Sequence, residues 1–381
     1  VTVVTTCSAF GYGQAEGGHW KSDTLAVKLL AEHEQTAQDV AESFAEFVED
    51  ARESLDLAVY DMRISPAVAR IVKDALAARA RADVQIRIAY DADKPEVPNP
   101  ADGVDPAEPG TGSFVQSLGY AWRRIGGRKL MHHKYVIRDA GHAHAMVWTG
   151  STNFTDDSWT LEENNILTLR SQQIADWYMR NFHELWSDDN FEGSGDFKTL
   201  SVGLEYENKP ADVAVEFSPG RGEEIDDRIA EIVASARDRV VIWSMLLNSS
   251  SLLKALQSVL DADAVPVSGL YDWTQQASML DQWQSVSQNH WKIPAIKDVV
   301  QRAGLVGKIS TPYSPTTPHD FMHAKVLIVD QTVITGSYNF SRSAMRNAEN
   351  ILIIDSAPLA DTYVDFVTHL TEKYRGESRP L

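Results

Sequence analysis

One nine-residue string occurs twice in this chain. MHHKYVIRD at 131–139 returns as MHAKVLIVD at 322–330, so His132, Lys134 and Asp139 each match a residue 191 positions on: His323, Lys325 and Asp330. GSTNF (150–154) then matches GSYNF (336–340) at an offset of 186. The five-residue difference lies in AGHAHAMVW, which reads as a longer hairpin in the first copy. Glu163-Asn164 and Glu349-Asn350 follow at equal distances from Asn153 and Asn339. So many matches in one order mark an internal duplication.

The pattern extends outward from the motifs. SLDLAVYDM (54–62) and RVVIWSMLL (239–247) are strand-like runs that follow amphipathic segments near 36–53 and 223–238. VQIRIAYD (84–91) corresponds to VPVSGLYD (265–272). YVIRD and VLIVD read as strands, GSTNF and GSYNF as strand-to-loop turns, and helices are predicted over 171–187 and 357–374. The expected fold is therefore α/β: two pseudo-symmetric halves, each a mixed β-sheet flanked by helices, with the active site at their interface. The halves are expected at 1–200 and 201–381, divided by the polar stretch from SDDNFEGSGDF to ENKPAD. Two segments fall outside this scheme. Residues 91–112 carry five of the fifteen prolines and read as a long acidic loop that caps the cleft when it moves. Residues 271–291 concentrate three tryptophans and read either as an extra packed helix or as a wall facing the substrate.

Composition narrows the partners. At 381 residues, with 43% hydrophobic and 23% charged, the chain has the makeup of a soluble two-domain protein. Its formal charge of −19 repels nucleic acid and anionic membranes at long range, so a polyanionic substrate needs a locally positive cleft. The run WRRIGGRK (122–129) offers one, through Arg123, Arg124, Arg128 and Lys129. The single cysteine, Cys7, excludes an internal disulfide and a cysteine-rich zinc site. His142 and His144 read as a hairpin edge, and no metal is expected there. No apolar run reaches the length of a membrane helix, and the N-terminus lacks the basic start and apolar core of a signal peptide, so a cytoplasmic protein is expected.

Strand geometry separates the two adjacent histidines. Side chains alternate along a strand, so His132 and Lys134 share one face and His133 points the other way. Ala324 in the second copy shows that the middle position needs no imidazole. Lysine, asparagine and hydroxyl donors can cradle phosphate oxygens, and a histidine can attack phosphorus or shuttle a proton. Neither half supplies both an attacking group and a separate acid; two halves with a phosphate between them do.

The doubled H-x-K-x4-D followed by G-S-x-N resembles the phospholipase D superfamily. The second copy, HAKVLIVDQTVITGSYNFSRSAMRNAEN, is especially similar to the branch containing bacterial nucleases and mitochondrial cardiolipin hydrolases. The resemblance covers most of the chain and implies two phospholipase D-like halves. It also implies metal-independent cleavage of a phosphodiester through a phosphohistidine, with His132 as nucleophile and His323 as acid and base. Lys134, Lys325, Asn153 and Asn339 would then hold the non-bridging oxygens, with Ser151 and Ser337 assisting. Glu163 and Glu349 would orient the histidines, and Asp139 and Asp330 would hold strand ends. Two histidines in different protonation states imply a bell-shaped pH–rate profile. Phospholipid head-group hydrolysis, or transfer to an alcohol, is the expected activity, without cofactor or obligate protein partner. Nucleic-acid cleavage and a non-catalytic phosphate-binding module are the alternatives.

Overall fold

The computed structural model describes residues 24–92, 110–263, 265–314 and 317–381. Most of the proline-rich loop, and Cys7, lie outside these residues.

The first half begins with β1 (Leu25–Leu30), α1 (Ala37–Glu49), β2 (Ser54–Val59), β3 (Met62–Arg63), α2 (Pro66–Ala80) and β4 (Gln85–Asp91). It continues through α3 (Thr111–Ser117), β5 (Ala121–Ile125), β6 (Lys134–Arg138), β7 (Met146–Gly150), β8 (Phe154–Thr155), α4 (Asp156–Thr160), β9 (Asn164–Arg170) and α5 (Gln172–Asp188). The second half opens with β10 (Val202–Tyr206), β11 (Lys209–Ser218), α6 (Gly222–Ala234), β12 (Val240–Ser244), α7 (Ser250–Ala262) and β13 (Val267–Asp272). It ends with α8 (Trp273–Trp283), α9 (Lys292–Ala303), β14 (Val306–Lys308), β15 (Lys325–Val329), β16 (Thr332–Gly336), β17 (Glu349–Asp355) and α10 (Ala357–Tyr374).

The two sheets have the same order. The first runs β1-β9-β7-β6-β2-β4-β5 and the second β11-β17-β16-β15-β12-β13-β14, with β10 added at its edge. In each, three strands pair in parallel (β2-β4-β5 and β12-β13-β14) and the rest antiparallel, so both sheets are mixed. The duplication read from the motifs thus extends through the whole strand order, including β5 and β14, which carry no shared sequence pattern.

Burial explains the layering. Strands β6 (KYVIR) and β15 (KVLIV) are buried at every position, as central strands covered on both faces must be. One hydrophobic cluster joins both halves: Tyr135, Val147 and Leu169 from the first sheet, Trp243, Val326 and Leu352 from the second, with Tyr178 and Phe182 of α5 and Tyr363 and Phe366 of α10 between them. Outer clusters cover the opposite faces, under α1 and α2 in one half and under α6, α7 and α9 in the other. The central layer is also hydrogen-bonded across the pseudo-two-fold. Asn165 Nδ2 donates to Thr335 Oγ1 (2.6 Å) and Tyr363 Oη (2.9 Å), and Asn350 Nδ2 to Thr149 Oγ1 (2.9 Å) and Tyr178 Oη (3.0 Å). Buried amides with such partners fix how the halves sit on each other.

Asp139 and Asp330 perform matching tasks at the ends of β6 and β15. Asp139 accepts the backbone N–H groups of Arg52, Glu53 and Ser54, and Asp330 those of Arg237, Asp238 and Arg239. Each carboxylate ties the helix-to-strand link of its half to the end of the motif strand. His144 Nε2 lies 3.0 Å from Asp139 Oδ2, with His142 beside it. Of the tryptophan-rich segment, α8 is an added helix packed on the second sheet, with Trp283 in the outer core of that half; Trp291 is 40% exposed.

Candidate active site

Strands β6 and β15 bring the two motifs together where the halves meet. The residue before each histidine is anchored by a carboxylate at the end of a neighbouring strand: Met131 N donates to Asp91 Oδ1 (2.7 Å) and Met322 N to Asp272 Oδ2 (3.0 Å). The repeated Tyr-Asp at the ends of β4 and β13 was a sequence signal for these anchors that the motif reading left unused. His132 N in turn donates to Ala348 O across the seam (2.8 Å). The backbone of His132 is thus fixed by its own half and by the other.

The histidines have unlike partners. His132 Nδ1 lies 2.8 Å from Glu349 Oε2 of the opposite half. His323 Nδ1 lies 3.0 Å from Asn164 Oδ1, also of the opposite half, with Glu162 Oε2 at 3.5 Å. In both, an acceptor on Nδ1 selects the tautomer that carries hydrogen there and leaves Nε2 with its lone pair. Behind each acceptor stands its complement: Asn347 Nδ2 donates to Glu349 Oε1 (2.9 Å), and Asn164 Nδ2 to Glu162 Oε2 (3.0 Å). Glutamate and asparagine have exchanged places between the halves.

This exchange corrects the expectation for Glu163. Ser151 N bonds Asn165 O and Ser337 N bonds Asn350 O, so the structural equivalents are Asn165 with Asn350, Asn164 with Glu349, and Glu163 with Ala348. The first copy has one extra residue in the preceding loop, which equal spacing from Asn153 and Asn339 conceals. The shared Asn-Ile-Leu at 165–167 and 350–352 gives the right register. Glu163 faces away from both histidines, where it pairs with Lys308 Nζ (2.7 Å) and accepts from Tyr374 Oη and Glu32 N. Glu162 and Asn164 occupy the place assigned to it.

Lys134 Nζ donates to His132 O at 2.8 Å, and Lys325 Nζ donates to His323 O. Both ammonium groups are buried. Burial pulls Lys134 down to about 7 against the raising charges of Glu349 and Asp61. Burial and the charge of Lys134 pull Lys325 down to about 7 as well. Burial takes His132 to about 4 against the pull of Glu349, and burial with the charges of both lysines holds His323 well below the ordinary imidazole range. Glu162 is pushed up to about 8 by burial and by Asp157. Tyr60 completes the first half's wall: its ring lies 4.8 Å from the His132 ring and 4.8 Å from Lys134 Nζ. Its counterpart in the strand register is Met245, so the duplication gave no hint of it.

His133 points to the other face, as alternation requires. It is fully buried, 3.4 Å from Asn350 Oδ1 and edge-on to Phe217, and burial takes it down to about 3. Asn153 and Asn339 each hold a buried amide oxygen with no partner among the described residues; that oxygen accepts, so only the Nδ2 end of each amide could serve a phosphate oxygen. Ser151 and Ser337 differ from the expected substrate contacts. Both hydroxyls accept a backbone N–H, from Asn165 and Asn350 at 3.0 Å, and Ser151 Oγ donates to Asn164 Oδ1 (2.7 Å). They support the site from behind. Gly150 and Gly336 place them there: at φ of 141° and 147°, a Cβ would lie 2.3 Å from the carbonyl of Asn165 or Asn350. The basic run divides. Arg123 is paired with Asp189 (3.0 Å) and set over Trp186, while Arg128 and Lys129 stand where the halves meet.

Two buried histidines with ordered tautomers, two lysine ammonium groups and two asparagine amides, all residue types that can serve a phosphate, come from the repeated motifs where the halves meet. Comparison with known proteins points the same way. The family described as cardiolipin synthase, PLD-like domain, matches at residues 44–186 and again at 229–371. A mitochondrial cardiolipin hydrolase from Xenopus laevis is 30% identical over 138 residues, which is 36% of this chain and 57% of that protein. A phospholipase D from Rickettsia bellii is 54% identical over 44 residues, or 11% of this chain and 22% of that protein. The chain therefore matches little more than half the length of the first relative and under a quarter of the second. Among solved structures, a phosphatidylserine synthase from Haemophilus influenzae superposes with a TM-score of 0.61 at 12% identity, covering 93% of this chain and 87% of that one; it shares the fold.

Proposed function

This chain belongs to the phospholipase D superfamily, and from that we propose that it is a phosphodiesterase that cuts a phospholipid at its head group through a covalent phosphohistidine. The observation that carries the reading is the crossed pairing of His132 with Glu349 and of His323 with Asn164, around two buried lysines. The names of the relatives, a cardiolipin hydrolase and a phospholipase D, support a lipid substrate.

In the first step His132 Nε2 attacks phosphorus and the bond to the leaving oxygen breaks. The anionic phosphate seated beside His323 favours its imidazolium, so His323 enters the step with a proton on Nε2 as well as on Nδ1; the leaving oxygen takes the Nε2 proton, and the product alcohol departs. In the second step His323 Nε2 accepts a proton from water, whose oxygen attacks phosphorus, and the P–N bond breaks. Water yields a phosphate monoester, and an alcohol in its place yields a new diester. The roles follow from the exchanged pair. A carboxylate on Nδ1 of His132 raises the nucleophilicity of Nε2 and balances the positive charge of the phosphorylated ring. An amide on His323 gives less support to the imidazolium and makes it the readier proton donor. Lys134, Lys325, Asn153 and Asn339 hold the non-bridging oxygens. The direct test is release of head group and phosphatidic acid from phosphatidylglycerol, phosphatidylcholine and cardiolipin vesicles by the purified chain. Release from none of the three defeats the lipid reading.

The lysines also set a pH dependence. Both lie near 7, and an anion seated against them raises both. The complex then holds protons that the free protein has lost above pH 7, so binding takes up protons and weakens as pH rises. Affinity for inorganic phosphate is expected to fall between pH 7 and 9, by up to roughly tenfold per pH unit for each lysine involved. Titration calorimetry in buffers of different ionisation enthalpy measures both the fall and the uptake. Constant affinity across that range removes the lysines from the phosphate site.

A further inference from the structure

Lys308, the last residue of β14, is a buried cation behind the active site that takes no part in the steps above. Its Nζ donates to Glu163 Oε2 (2.7 Å) and to Leu161 O (3.3 Å), and lies 3.4 Å from Glu32 Oε2. The lysine comes from the second half and all three acceptors from the first. Leu161 and Glu163 flank Glu162, so the ammonium group brackets the residue whose carboxylate stands 3.5 Å from His323 Nδ1. The carboxylate of the pair is held as well. Glu163 Oε1 accepts from Tyr374 Oη and from Glu32 N (3.2 Å), and Glu163 N donates to Phe321 O (3.2 Å), two residues before His323. In β14 Lys308 is opposite Asp272, whose Oδ2 accepts Met322 N. One lysine therefore stands between the segment that carries the Nδ1 partners of His323 and the anchor of the strand that carries His323 itself.

The other seam places apolar residues at these positions. The counterpart of Glu163 is Ala348, and that of Lys308, opposite Asp91 at the end of β5, is Ile125; both are fully buried in the central hydrophobic cluster. The difference follows the loops. Glu349, which meets His132, is the first residue of β17 and is held in the ladder opposite Ser218. Glu162 lies between α4 and β9, outside both, on the loop that is one residue longer than its counterpart. A carboxylate on a loop without ladder bonds needs another restraint to stay within reach of a ring. The ion pair, costly to bury unless fully hydrogen-bonded, stands on the seam where the loop is longer.

We propose that Lys308, through its pair with Glu163, is a positioning residue for proton transfer by His323. It holds Glu162 and Asn164 against Nδ1, which keeps Nε2 aimed at the leaving oxygen and steadies the imidazolium that donates to it. The proposal rests on the two-step mechanism given above. Attack by His132 does not pass through this pair, because the partner of His132 is Glu349, fixed in β17. Loss of the pair therefore weakens the proton transfer and spares the attack.

The test separates the two events by leaving group. Phosphatidylglycerol loses an alcohol that needs a proton. The p-nitrophenyl ester of phosphatidic acid loses a phenolate that needs none, so its first-turnover burst reports attack by His132 alone. In Lys308→Met, kcat on phosphatidylglycerol is expected to fall by roughly 10²-fold while the burst rate stays within about threefold of the wild type. That variant leaves Glu163 buried without its lysine, so E163A/K308I, which gives this seam the residues of the other, is measured beside it. The double variant is expected to melt within a few degrees of the wild type and to show the same split between substrates. Equal losses on both substrates, or wild-type kcat on phosphatidylglycerol in the double variant, make the pair a structural element only and overturn the proposal. A wild-type chain that gives no burst and releases no glycerol defeats the mechanism itself, and the proposal with it.

Discussion

Replacing His132 with alanine is expected to lower kcat by at least ~10⁴-fold and to leave no covalent phosphoprotein, because the atom that forms the P–N bond is gone. His323→Ala is expected to stall at a different point. With an ordinary alcohol as leaving group it is similarly inactive, since the departing oxygen finds no proton. With a p-nitrophenyl ester the leaving group needs none, so the first step proceeds and the intermediate accumulates, there being no base to activate water. An acid-labile, base-stable phosphoprotein is then recovered from His323→Ala and not from His132→Ala. The asymmetry rests on Glu349 at 2.8 Å from one ring and Asn164 at 3.0 Å from the other. Recovery of the phosphoprotein from the His132 variant alone reverses the assignment. Full activity in both variants removes the mechanism.

The duplicated motifs made the architecture legible, because each apolar strand next to a motif has to be covered on both faces. The order of the two sheets goes further than the sequence did: β5 and β14 sit at matching edges with no resemblance between AWRRI and VGK. Their match is a property of chain topology. At the site, a period of two was enough to separate His132 from His133, since alternation on a buried strand leaves no other choice. What the sequence hid was register across a loop. One extra residue before β9 makes Asn164, not Glu163, the counterpart of Glu349, with Glu162 in the place of Asn347; equal spacing from the preceding asparagines conceals this, and the shared Asn-Ile-Leu and the backbone pairing of Ser151 with Asn165 reveal it. The serine hydroxyls were misjudged for a related reason. Motif membership says that a side chain is near the site, whereas its hydrogen bonds decide whether it faces the ligand or the backbone behind it.

Lys134→Met and Lys325→Met are expected to separate activity from stability. Each removes a donor to the non-bridging oxygens and is expected to lower kcat/KM by about 10²–10³-fold, the usual effect of losing one charge-stabilising donor. Each also removes an ammonium group that folding buries at a cost. The sign follows from linkage. A lysine whose pKa falls from its unfolded value to about 7 on folding leaves the unfolded chain holding more protons between those two values, so the wild-type protein gains stability as pH rises through that window. The methionine variants lack the penalty and are expected to melt a few degrees above the wild type at pH 6–7, a gain of about 1–3 kcal/mol, with the difference shrinking towards pH 10. The two gains do not add, because each lysine raises the cost of the other. Melting curves at pH 6, 8 and 10 beside kcat/KM decide the matter. A methionine variant that is both inactive and less stable at pH 6 makes the lysine a structural member of its strand, and the phosphate site loses its main source of positive charge.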